Sequence, residues 1–224
     1  MDLPNRLQKI DSLSRWNYHH LDEDDTVYYL GDYIPREGYS AGATNQFIEN
    51  FKKPLSKRGR PEWPWKSRAI YLFAKAIVAL IGEEAIRERI TFVPTPPSRA
   101  RDDPDYDDRL WQTLQIVSQL VPGADCRDCI TQARSIPAFH KNEGPRMPPS
   151  ELSSLYAMES CGPEHRKYVI ILDDVITTGS HFKAMQLVIR RHWPEAQIYG
   201  LFAARVYRPE PETTAIDLSD LLGD

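Results

Sequence analysis

The chain has 224 residues, 41% of them hydrophobic and 27% charged, with a formal net charge of −4. That length suits one sizeable α/β core with extensions, or at most two small domains, and the balance is ordinary for a soluble globular protein. Net acidity argues against broad, non-specific nucleic-acid binding, and three cysteines are too few for a disulfide framework.

The longest apolar candidate for a membrane span, residues 69–81, is too short and is interrupted by Lys75. Met1-Asp-Leu-Pro-Asn-Arg6 lacks the basic-then-apolar pattern of a secretion signal, so a cytoplasmic location is expected. Cys126-Arg-Asp-Cys129 has the spacing of half a zinc site, which His140 and Cys161 complete only on paper; reduced structural cysteines are the simpler expectation.

In chain order, Leu7, Ile10 and Leu13 fit one helical face. Tyr28 to Ile34 reads as a short strand or an aromatic loop, and Asn45 to Phe51 as one or two helical turns. Residues 52–68 carry Lys52, Lys53, Lys57, Arg58, Arg60, Lys66 and Arg68, either a solvated connector or an anion or nucleic-acid contact. Ala69, Phe73, Ile77 and Leu80 mark a helix ending near Gly82. Ile90 to Pro94 is a strand, and a polar, proline-rich loop follows from Thr95 to Asp105. Leu110, Leu114, Val117 and Val121 mark the next helix, and residues 124–131 a brief strand.

Residues 132–165 are rich in proline and glycine, with a short helical piece around Leu152 to Met158, and read as a lid or a disordered segment. Tyr168 to Leu172 is the clearest buried strand, followed by a helix through Phe182, Met185, Val188 and Ile189 and a last strand from Ile198 to Ala204. This alternation predicts an α/β fold with a parallel sheet flanked by helices. Three parts are expected: an N-terminal extension or hood (1–65), the α/β domain (66–208) and a flexible acidic tail (209–224).

The chemistry concentrates between Tyr168 and His181. An apolar strand delivers Asp173 and Asp174 at its C-terminal end, where ligands of open α/β sheets bind. Thr177-Thr178-Gly179-Ser180-His181 then turns into a helix. Gly179 lets the backbone curl, the hydroxyls of Thr177, Thr178 and Ser180 add donors, and the helix start adds its positive dipole end. Together these make a phosphate cradle, with two carboxylates about one ribose length away for vicinal hydroxyls. No Gly-Lys-Ser/Thr follows a glycine-rich loop, which excludes a Walker site.

This block resembles the phosphoribosyl pyrophosphate (PRPP) signature of type I phosphoribosyltransferases. Val93-Pro-Thr-Pro-Pro-Ser98-Arg99, the long lid, Asp173-Asp-Val-Ile-Thr-Thr-Gly179 and Ala203-Ala-Arg205 make residues 68–208 most similar to ComF-type phosphoribosyltransferase-like proteins of bacteria. The sequence departs from them in three ways. No cysteine precedes Cys126, Asp105-Tyr-Asp-Asp-Arg-Leu110 replaces an Arg-Gly-Phe-Asn-Gln segment, and His181 stands where a threonine usually ends the phosphate loop.

The resemblance implies a twisted parallel sheet with a variable hood, and transfer of the 5-phosphoribosyl group of PRPP to a nitrogenous acceptor with release of pyrophosphate. It implies Mg²⁺ as cofactor, with Asp173 and Asp174 as catalytic acids and indirect metal partners. Thr177 to His181 would hold the 5-phosphate. Ser98, Arg99 and Arg101 become candidates for pyrophosphate unless the arginines are solvated loop charges, and Arg109 is an open case. Arg134, Lys141 and Arg146 are the lid's cations. The alternative is a non-catalytic PRPP- or nucleotide-binding subunit of a bacterial competence or defence system. Its N-terminal extension or acidic tail would meet a second copy or another protein.

Overall fold

The computed structural model describes residues 3–4, 6–135, 147–159 and 161–207. The order is β1 (Gln8–Lys9), β2 (Thr26–Tyr33), α1 (Ala43–Phe51), α2 (Pro64–Ile81), α3 (Glu83–Arg89), β3 (Ile90–Pro94), α4 (Arg109–Leu120), β4 (Asp125–Cys126), β5 (Ile130–Gln132), α5 (Pro149–Ser154), β6 (Tyr156–Met158), β7 (Tyr168–Ile176), α6 (Ser180–His192) and β8 (Gln197–Val206). Six strands form one sheet in the order β1-β2-β8-β7-β3-β4. Only β1 runs antiparallel to its neighbour. The chain is therefore α/β with a mostly parallel mixed sheet flanked by helices. Strands β5 and β6 make a separate antiparallel pair. Among the described residues, no helix is long and apolar enough to cross a membrane.

Strand β7 lies inside the sheet, between β8 and β3, which explains its unbroken apolar run: both of its faces are covered. Successive side chains point to opposite faces. Val169 and Ile171 join α6, α5 and the β5–β6 pair in one core with Phe182, Met185, Ile189, Leu152 and Tyr156. Leu172 joins the other core, built by Phe47 and Phe51 of α1, Phe73 and Ile77 of α2, and Leu114 and Val117 of α4.

The N-terminal segment differs from expectation. Leu7 to Leu13 is not a helix. Gln8 and Lys9 pair with Tyr29 and Tyr28, and Ile10 N–H continues the ladder to Val27 O at 3.0 Å. Ile10 is buried, whereas Leu13 is 78% exposed. The ambiguous aromatic stretch is a strand, β2, parallel to β8 from Thr26↔Tyr199 to Tyr33↔Val206. One sheet thus runs across the boundary expected at residue 65. The helical piece expected at Leu152 to Met158 divides into helix α5 and strand β6.

The cysteines also differ. Cys129 and Cys161 form a disulfide, with Cα atoms 5.3 Å apart, and Cys126 stands alone on β4. Burial pushes the Cys126 thiol up to about 11. The half-zinc reading of Cys126 and Cys129 is thereby lost, and His140 lies outside the described residues.

Because β2 supplies the outer partner of β8, a chain starting at residue 66 should show no cooperative thermal transition by circular dichroism. A sharp transition near that of the full chain would mean that the sheet does not need β2.

Candidate functional site

A cleft of about 380 Å³ opens at the C-terminal edge of β3 and β7. Asp173, Asp174, Thr177, Ser180 and His181 line it from β7 and the turn after it, and Ser98 and Arg99 from the loop after β3. Lys52, Asp107 and Arg109 join from the ends of α1 and α4. Leu110, Leu152 and Met147 contribute apolar surface.

The two acids have different partners, as strand alternation leads one to expect. Asp174 is buried and follows Leu172 toward the helices α1 and α4. Its Oδ1 accepts from Lys52 Nζ at 3.2 Å and its Oδ2 from Arg109 Nη2 at 2.5 Å. Burial disfavours its charge, but Lys52 and Arg109 outweigh burial and hold the carboxyl well below the usual range. Asp173 follows Ile171 toward α6 and is half-buried. Among the described residues its hydrogen bond is to the Asp174 N–H, at 2.7 Å. Burial, and then the charge of Asp174, push its carboxyl up to about 7.

The cations are themselves anchored. Arg109 Nη1 donates to Asp107 Oδ2 at 2.9 Å, and the same oxygen accepts from Lys66 Nζ at 2.8 Å. Lys66, 2% exposed, also donates to the carbonyls of Phe51 and Lys53 at 3.0 and 2.9 Å. Its ammonium therefore fastens the end of α1 to α2 and to the start of α4. Among the described residues, Thr95 Oγ1, Asp107 Oδ1 and Arg109 Nε are buried without a hydrogen-bond partner. All three residues line the cleft.

The turn after β7 keeps the bend its sequence suggests. Gly179 has φ +89° and is the N-cap of α6, a conformation that disfavours any side chain. A Cβ there would lie 2.9 Å from Leu21 Cδ2, so the N-terminal segment packs against the back of the turn. His20 N–H donates to Thr178 O at 3.1 Å, and Lys183 reaches Asp22 and Asp25 at 2.7 and 2.8 Å.

Thr178 is buried, and its Oγ1 lies 3.0 Å from Ser180 Oγ. Neither Thr178 nor Gly179 lines the cleft. Of the turn's side chains, the cleft receives Thr177, Ser180 and His181.

Ser98 and Arg99 reach the cleft, where Arg99 pairs with Asp103 at 3.4 Å. Arg101 does not: it pairs with Asp128 at 2.9 Å and Glu159 at 3.6 Å, outside the cleft. Arg134 borders a separate hollow with Asp102 and Asp103. Lys141 and Arg146 lie outside the described residues, as does the tail from 208 onward. Sequence reasoning named Lys52 only within a basic run, read as a connector or an anion or nucleic-acid contact, and it missed Tyr156, whose hydroxyl lies 2.7 Å from His181 Nδ1. No protein-family model matches the chain, and a search of curated proteins finds no match.

A carboxyl raised on folding contributes stability that is complete below its unfolded pKa, about 3.9, and lost as pH rises through about 7. Asp173→Asn removes that loss while keeping an acceptor for the Asp174 N–H. Its melting temperature should match the parent at about pH 4 and exceed it by roughly 10 °C at about pH 8. A gap that does not widen with pH would show that Asp173 ionises without penalty.

Proposed function

We propose that this chain binds PRPP and transfers its phosphoribosyl group to a nitrogenous acceptor, as a phosphoribosyltransferase-like protein of the cytoplasm. One observation carries the reading. The glycine-bent turn, with the start of α6 and the side chains of Thr177, Ser180 and His181, opens into the same cleft as Asp173 and Asp174. A phosphoryl group accepts hydrogen bonds at such a helix start, and vicinal hydroxyls donate to carboxylates.

In the reaction the bond from ribose C1 to pyrophosphate oxygen breaks, a C1–N bond forms, and the acceptor's proton passes to solvent. The turn would anchor the 5-phosphate and hold C1 in place, so binding energy remote from C1 serves the chemistry. Asp173 would orient the ribose and favour positive charge growing at C1. Ser98 and Arg99 would meet the departing pyrophosphate.

Among the described residues, no group of three or more acids, histidines or cysteines is placed to hold a metal ion. Both oxygens of Asp174 already accept from cations. Were Mg²⁺ bound with PRPP, Asp173 and Asp174 would be its indirect partners. Bound there, it would neutralise the leaving group.

The engagement of Asp174 by Lys52 and Arg109 favours a second reading, a subunit that senses PRPP or a nucleotide without turnover. PRPP with Mg²⁺ should raise the melting temperature, and incubation with a panel of bases should release pyrophosphate. Stabilisation without release under any condition selects the sensor; no stabilisation by PRPP, ribose 5-phosphate or a nucleoside monophosphate removes both readings. Thr177→Asp, which sets a carboxylate in the cradle, should weaken PRPP by about 100-fold or more in calorimetry.

A further inference from the structure

The bonded cluster around Asp174 carries one positive charge more than its acids need. Asp107 and Asp174 are its carboxylates, and Lys52, Lys66 and Arg109 are its cations. Arg109 pairs with both acids, and the buried Lys66 pairs with Asp107. Those two cations already match the two carboxylates. The excess is Lys52, and it is also the cation most open to the cleft. Its side chain is 37% exposed, against 18% for Arg109. An ammonium has three N–H donors. Among the described residues, Lys52 Nζ uses one of them, on Asp174 Oδ1 at 3.2 Å.

The stem of Lys52 is nevertheless anchored. Lys66 Nζ holds the carbonyls of Phe51 and Lys53, the residues on either side of Lys52. Lys52 N–H donates to Ile48 O at 2.9 Å, closing the end of α1. A fixed backbone that presents a partly solvated ammonium suits capture of an anion, because little ordering is left to do on binding.

Placement in the fold indicates which anion. The turn at Gly179 leads into α6, which packs on one face of the sheet. Helices α1 and α4, whose ends carry Lys52 and Arg109, pack on the other. Asp173 and Asp174 lie on β7 between the two. The 5-phosphate and the C1 substituent leave a ribose at opposite ends. With the 5-phosphate at the turn and the hydroxyls at the carboxylates, the C1 substituent falls toward Lys52.

We propose that Lys52 is a substrate-contacting residue that receives the pyrophosphate of PRPP, and that it makes the cleft prefer PRPP to ribose 5-phosphate. The proposal rests on the phosphoribosyl reading of the turn and deepens it. It adds to Ser98 and Arg99 a cation from the N-terminal part of the chain. Asp174 stays paired while Lys52 turns to the ligand, since Arg109 still holds its Oδ2. The role is the same whether PRPP is turned over or only sensed.

Calorimetry on the full chain with Mg²⁺ tests it. Lys52→Gln should weaken PRPP by about 10- to 100-fold, the loss of one charge-assisted contact, and ribose 5-phosphate by about twofold at most. Lys52→Arg, which keeps the charge, should recover most of the PRPP affinity. An equal loss for both ligands, or no loss for PRPP, overturns the role, because Lys52 then serves Asp174 alone.

Lys52→Gln takes a partner from a buried carboxylate, so a second measurement uses the parent. In NMR of the chain labelled with ¹³C-lysine, the Lys52 Cε–H signal, assigned by its loss in Lys52→Arg, should move on addition of PRPP and stay in place with ribose 5-phosphate. A signal indifferent to PRPP, in a parent that binds ribose 5-phosphate, overturns the proposal. A parent that binds neither compound overturns the phosphoribosyl reading instead.

Discussion

Two neighbouring carboxylates at the buried tip of a strand repel each other, and the charge of both cannot be kept there without help. Here the help is uneven. Asp174 receives Lys52 and Arg109, while Asp173 is left toward α6 with its carboxyl raised. Much of the molecule is arranged around that inequality. Lys52 closes α1 onto β7, Arg109 fixes the start of α4, and the buried Lys66 ties both to α2 through Asp107 and two backbone carbonyls. Removing a single partner would strand charge in a poorly solvated place, so the ion pairs read as a means of fixing geometry more than as a gain in stability.

A second constraint acts from the other face. The segment before β2 lies against the back of the turn at Gly179 and is joined to α6 through Asp25, which accepts from Lys183 and from Gln186 at 2.9 Å. Residues of the first quarter of the chain thus shape both walls of the cleft. Lys52 enters beside the acids, and Leu21 backs the curve that would hold a phosphate. The N-terminal part is a structural member of the α/β unit.

The parts of this structure legible in the sequence were those decided locally. Tyr168 to Leu172 declares itself because both faces are apolar; Gly179 declares a bend because few other residues tolerate it; α2, α4 and α6 show regular apolar spacing. What stayed hidden depends on distant partners. The Tyr28–Ile34 stretch reads ambiguously because β8, which makes it a strand, lies at the other end of the chain. Lys52 looks like every other cation in its run, and only Asp174 singles it out. Arg101 looks as suitable as Arg99 until Asp128 and Glu159 are seen to hold it away. Cys129 and Cys161 are 32 residues apart, with nothing local to join them.

The outermost strands of the sheet, β1 and β4, are each two residues long. A bordering strand normally offers a row of unsatisfied backbone groups to any extended chain that drifts by. Among the described residues, each of these two strands presents a row of only two residues, and β1 covers only Tyr28 and Tyr29 of the longer β2 behind it.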